Sequence, residues 1–204
     1  MFRSFNKGFT LPELLVSITI MLLILTVIVR SQSGYTDTLA LTNSVDEIGL
    51  ALSQAQAYGI AVRELTPGSS DFSASYGLAF SLLGPNTNDA YISFADRNGN
   101  KIYDGDWSCP TGPGAECQVK NLISRNNRIS SLCSVSSSGG DNCSVARVDV
   151  NFTRPNTQSR IAFFNNGGVQ FNPGNSIGAR ITLRSPAGVT RSVIIYQNGQ
   201  ISVP

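Results

Sequence analysis

Apolar side chains crowd the start of the chain, and the spacing of those that follow changes twice. Residues 14–29, LLVSITIMLLILTVIV, are apolar apart from Ser17, Thr19 and Thr26, whose hydroxyls can bond back to helix carbonyls. The 21 residues of 9–29 make a helix of about 31 Å at ~1.5 Å per residue, enough to cross a bilayer. Between Gln32 and Leu65 the apolar or small positions are Leu41, Val45, Ile48, Leu52, Ala55, Gly59 and Val62, in steps of 4, 3, 4, 3, 4 and 3. That spacing lines one face of a helix, with Asn43, Asp46, Glu47, Gln54 and Gln56 on the others. The two patterns predict one long helix, loosened near Gly34, with its first half in a membrane and its second half packed on a sheet.

From Thr66 the pattern is that of strands. The candidates are 73–82, 90–95, a short 101–103, an alternating run over 145–152, then 160–164, 168–171, 180–184, 189–196 and 201–203. Asn198-Gly199, between the last two, signals a type I′ hairpin. The stretch 120–144 is rich in Ser and Asn, carries Gly139-Gly140, and reads as a surface loop. No internal repeat is present. The expected class is therefore α+β, a long N-terminal helix packed on an antiparallel sheet or sandwich.

Composition narrows the function. The chain has 204 residues, 14% of them charged, and no histidine. The absence of histidine removes the Ser-His-Asp triad, the Cys-His dyad and His-ligated zinc or haem. No nucleophile–base pair can be named, so an enzyme, even a membrane-anchored one, is not expected. Charge is unevenly placed: residues 9–119 hold four basic and eleven acidic side chains, whereas 120–204 hold nine basic ones against Asp141 and Asp149. The asymmetry reads either as a polarised solvated surface or as an anion-binding face.

Arg3 and Lys7 precede the apolar run, which keeps the N-terminus cytoplasmic and exports the remainder. A cleaved secretory signal peptide is the alternative. Against it stand Glu13 at the head of the run, an exit sequence Arg30-Ser31-Gln32-Ser33 without a small-x-small pattern, and a helical stripe that continues past the membrane.

The string Lys7-Gly8-Phe9-Thr10-Leu11-Pro12-Glu13-Leu14-Leu15-Val16 resembles the class III leader junction of type IV prepilins and type II secretion pseudopilins. The resemblance implies a leader over 1–8 cleaved after Gly8 by a prepilin peptidase, and methylation of the new amine on Phe9. It implies a transmembrane helix over 9–30, its amphipathic continuation over 31–65 and a β-rich periplasmic or extracellular head over 66–204, the lollipop plan of pilins. Proline at 12 fits a first helical turn, whose N–H groups have no intrahelical partner. A carboxylate at membrane depth costs about 2.5–3.5 kcal/mol and needs a reason to persist. At Glu13 it either snorkels to water or, as the resemblance implies, pairs with the N-terminal ammonium of an adjacent subunit and sets register. The ending GGVQFNPGNSIGARITLRSPAGVTRSVIIYQNGQISV and the segment LSQAQAYGIAVREL look like the GspH/FimT-like minor pilins. Relatives that bind DNA carry an arginine in the last hairpin turn; here the turn reads Gly199-Gln200-Ile201-Ser202.

Three further groups of side chains carry expectations. Cys109, Cys117, Cys133 and Cys143 all lie in the exported part, where an even number favours two disulfides. Of the three pairings, 109–117 with 133–143 is preferred, because each closes a Gly- or Ser-rich loop. Asp96, Asn98 and Asn100 have the alternate spacing of a calcium loop, which Asp104 or Asp106 could complete in a looser site, but Lys101 and Trp107 stand where glycine and glutamate belong, and an Asx-rich turn between strands is the preferred reading. Otherwise no cofactor is expected. Arg180 and Arg184 fall on one face of a strand, with Arg147, Arg160 and Arg191 candidates to lie near it, a possible phosphate grip.

The reading as a whole is a minor pilin or pseudopilin of the bacterial inner membrane, a single-pass subunit with its head in the periplasm. It would be built into a pilus or pseudopilus at the tip or at assembly initiation. Its partners would be other pilins, the prepilin peptidase and the inner membrane. The alternative is a non-specific DNA-binding subunit for uptake.

Overall fold

The computed structural model describes residues 8–61, 74–110, 112, 114–155 and 157–204, and at 30–33 the backbone alone. Arg3, Lys7, Val62 and Leu65 therefore lie outside the described residues. One helix, α1 (Leu11–Ile60), runs without interruption through Gly34, where loosening was expected. It starts from an extended Thr10, and the N–H groups of Glu13 and Leu14 bond the Thr10 carbonyl at 3.0 and 3.1 Å. Pro12 sits in that first turn, where no bond is lost. The hydroxyls of Ser17, Thr19 and Thr26 bond back to the carbonyls of Glu13, Leu15 and Leu23, so none needs water or a neighbour. At the other end Ala61 turns extended, so the helix stops at Ile60, short of the expected Leu65.

Among the described residues eleven strands follow: β1 (Ser75–Ser81), β2 (Ala90–Asp96), β3 (Cys117–Leu122), β4 (Arg128–Ser136), β5 (Asn142–Val145), β6 (Arg147–Phe152), β7 (Ser159–Phe164), β8 (Gln170–Phe171), β9 (Ser176–Arg184), β10 (Thr190–Tyr196) and β11 (Ile201–Ser202). They form two antiparallel sheets, one in the order β3-β2-β1-β6-β7-β8 and the other in the order β11-β10-β9-β4-β5. The second half of α1 packs on both. Leu41, Val45, Ile48, Leu52 and Ala55 meet Leu78, Phe80, Val148, Val150 and Phe152 of the first sheet and Ile129, Leu132, Ile181, Leu183, Val193 and Ile195 of the second. The predicted stripe is thus the seam of the core. At Gly59 the helix comes so close to β6 that a Cβ would lie 2.6 Å from the Phe152 carbonyl oxygen.

Three expectations fail here. The stretch 120–144 is not a loop: it supplies half of β3, all of β4 between β9 and β5, and most of β5. A bulge between Ile129 and Ser131 breaks the period of two that would have marked β4, and serines fill much of its remainder. The short strand at 101–103 is absent, because Lys101 takes φ 71° inside a crossing loop. The last hairpin also differs in type. Tyr196 and Gln200 bracket a three-residue loop in which Gly199, at φ 88°, donates to the Tyr196 carbonyl, while Asn198 is not left-handed as a type I′ turn requires. The same bond pattern, closed by a left-handed glycine, recurs at 165–169 with Gly168 and at 185–189 with Gly188.

Candidate functional site

Every described side chain from 8 to 29 is exposed, Phe9 by 77%, whereas the stripe beginning at Ala40 is buried. A single helix therefore holds two halves with opposite surfaces, and its N-terminal half is long and apolar enough to cross a membrane. Glu13 lies in the first turn, where the helix dipole favours a carboxylate, and its Oε2 accepts a long 3.4 Å bond from the Thr10 hydroxyl. Among the described residues no cation pairs with it.

Residues 97–110, 112 and 114–116 cross the outer face of the first sheet as a strap. Tyr103, Trp107 and Cys109 pack on Ala79, Ile92, Phe94 and Cys117, a second small core on the side away from α1. Three buried carboxylates hold the strap by its backbone. Asp96 accepts from the N–H groups of Gly99 and Lys101 at 2.7 and 3.0 Å and from the Ser75 hydroxyl at 2.9 Å. Glu116 accepts from the N–H groups of Arg97 and Asp104 at 3.3 and 2.9 Å. Asp149 accepts from the N–H of Tyr103 at 2.9 Å and from the Arg147 guanidinium at 2.9 and 2.5 Å. Burial pushes the Glu116 carboxyl up, against the pull of its two backbone bonds. It likewise raises Asp149, against the pull of Arg147, and carries the Tyr103 phenol to about 12. The disulfide Cys109–Cys117 ties the strap to β3, and Cys133–Cys143 ties β4 to β5, which is the sequential pairing.

The calcium-like spacing resolves into this strap. Asp96 is spent on backbone donors, and Asp104 accepts from the side-chain amides of Asn98 and Asn100 at 2.6 and 2.5 Å. Asn98 and Asn100 in turn accept from the backbone two residues on, as Asx turns do. Among the described residues no group of three or more His, Cys, Asp or Glu side chains is placed to hold a metal ion.

The arginines do not form the single face expected of them. Arg147 and Arg160 stand on the first sheet, Arg180, Arg184 and Arg191 on the second. Arg147 is occupied by Asp149 and lies 4.6 Å above the Phe164 ring. Arg180 is paired with Asp141 at 3.2 Å. Arg191 is in register with Leu183, and so on the opposite parity of the sheet from Arg180 and Arg184. The sequence reading passed over Arg125 and Arg128; Arg128 lies directly across from Arg184.

Residues 3–29 match the family model for the prokaryotic N-terminal methylation motif. No curated protein and no solved structure matches the chain. The match supports a type IV pilin-like class III leader followed by its apolar helix, and with it a type IV pilin or pseudopilin that is processed by prepilin peptidase, anchored in a membrane and assembled with other pilins.

Proposed function

We propose that this chain is a minor subunit of a type IV pilus or type II secretion pseudopilus, cleaved between Gly8 and Phe9 and methylated on the Phe9 amine. The observation that carries the reading is the division of α1: side chains exposed without interruption over 11–29, and a buried stripe from Leu41 to Ala55. An apolar surface of that length has no stable place in water and is matched by lipid before assembly and by neighbouring helices after it. Glu13, alone among apolar residues and without a cation among the described side chains, is the carboxylate that pairs with the amine of an adjacent Phe9 and sets register. The role of the head in this reading is to cap or decorate the filament near its tip.

Co-expression with a prepilin peptidase, followed by mass spectrometry of the membrane fraction, tests the processing. The expected product begins at Phe9 and carries one methyl group; a chain that stays intact, or is cut after Arg30, overturns the reading. In filaments, Glu13→Gln is expected to be processed normally and to fail at incorporation.

A further inference from the structure

Five arginines are exposed and, among the described residues, have no carboxylate partner, unlike Arg147 and Arg180; Arg160 is on the first sheet, and the other four are Arg125, Arg128, Arg184 and Arg191. These four gather at one end of the second sheet. Arg128 begins β4 and lies directly across from Arg184, which ends β9, while Arg191, the second residue of β10, is at the same end but on the opposite parity of the sheet. Like charges in direct cross-strand register oppose folding, so this pair is held at a cost that an anion would relieve. Arg125 adds a second cost: it sits at φ 54° in the turn just before β4, a left-handed conformation uncommon outside glycine.

The end that carries them faces the anchor. The turn bearing Arg125 contacts α1 at Ser44, whose hydroxyl lies 3.3 Å from that of Ser124 and accepts the Asn127 amide at 3.3 Å. Ser44 is near the beginning of the buried stripe, so these arginines lie on the side of the head from which the apolar half of the helix leaves. We propose that this cluster docks the head on the anionic phosphates of the lipid surface in which α1 is anchored, holding the unassembled subunit tilted against the bilayer. The inference rests on the membrane placement of α1 and not on cleavage or incorporation.

The distances allow it. Fifteen residues from Val29 to Ser44 raise the turn by about 22 Å at ~1.5 Å per residue. The headgroup layer takes up about 5–7 Å of that. A tilt of ~40°, the top of the ordinary range, lowers that rise to about 17 Å, and an extended arginine side chain then brings its charge to within a few Å of the headgroups. Attraction to an anionic surface acts within a Debye length, about 8 Å at physiological salt.

Trp107 is the single tryptophan and serves as the donor for the test. The full chain is reconstituted in nanodiscs of phosphatidylcholine alone, or with one part in three of phosphatidylglycerol, each with dansyl-labelled headgroups, and energy transfer from Trp107 is compared. Transfer is expected to rise in the anionic discs, to return toward the neutral value on adding salt, and to lose at least half of its rise in Arg128→Gln/Arg184→Gln. The charge-preserving Arg128→Lys/Arg184→Lys is expected to keep it, which separates lost charge from a damaged fold. Equal transfer in both lipids, or a rise that the glutamine variant keeps, overturns the proposal. So does duplex DNA that displaces the head from the anionic discs, since the arginines would then serve nucleic acid. Reconstitution itself reports whether α1 anchors, so a failure of the anchor and a failure of docking are distinguishable.

Discussion

Arg147 and Asp149, two residues apart on β6, point to the same side of the sheet and form a bidentate pair whose carboxylate is fully buried. The guanidinium also reaches the Tyr103 carbonyl, so the pair fastens the strap to the sheet from both of that residue's backbone groups. A side chain that the sequence offered as a phosphate ligand is instead the rivet of a second core. Replacing Arg147 with Met leaves a buried carboxylate uncompensated, at a cost of about 3–5 kcal/mol. Denaturant unfolding of the detergent-solubilised chain measures it, and the double change Arg147→Met/Asp149→Leu should recover much of the loss.

The approach of α1 to β6 at Gly59 leaves no room for a methyl group, since a Cβ would meet the Phe152 carbonyl at 2.6 Å and its Cβ at 2.7 Å. Gly59→Ala is therefore expected to destabilise by about 1–3 kcal/mol through overpacking. At Gly34, on the same helix, a Cβ would meet nothing within 4 Å, and Gly34→Ala should stabilise by about 0.5–1 kcal/mol. Opposite shifts in melting temperature from the same chemical change would confirm the packing geometry; shifts of the same sign would contradict it.

Glu116 is a carboxyl whose pKa is raised in the folded chain, chiefly by burial. Between its ordinary unfolded value and that raised value the folded state holds more protons than the unfolded one, so stability falls as pH rises through the window. Wild type is accordingly expected to lose stability relative to Glu116→Gln as pH climbs out of the ordinary carboxylate range toward neutrality. Melting curves of both proteins across that range check the sign. An advantage of wild type that grows with pH would mean that the two backbone bonds outweigh burial.

Cys109–Cys117 closes a loop of sequence separation 8 beside Trp107. Loss of a bridge over so short a loop costs about 2–3 kcal/mol in the chain-entropy account. Cys109→Ser/Cys117→Ser should lower the unfolding midpoint by a corresponding amount and shift Trp107 emission to the red as the strap loosens. The corresponding pair at 133 and 143 should lower the midpoint without moving the emission, because that bridge joins β4 to β5 in the other sheet.

What could be read from residues alone followed the range of the forces involved. The stripe from Leu41 to Ala55 was legible because burial repeats with the helical period, and residues 11–29 because their apolarity is unbroken. The strand at 128–136 was not, since the bulge at Ile129/Ser131 scrambles alternation and its serines imitate a loop. Lys101–Tyr103 looked like a strand because Ile102 and Tyr103 favour one, but three carboxylates distant in sequence from one another claim the surrounding N–H groups. The arginines show the limit most plainly. Arg147 and Arg184 are alike in sequence, and only the folded structure reveals that one is half-buried and paired with Asp149 while the other faces Arg128.

Because one continuous helix is both the apolar stem and the central seam of the two-sheet core, tension applied to the stem enters the head as shear along the whole contact from Leu41 to Gly59. Many side chains must slip together under such a load, whereas a stem attached at a strand end could be peeled off one bond at a time. The 50 residues of α1 thus make the head a mechanical extension of its own handle: pulling on the handle moves the head before it unfolds it.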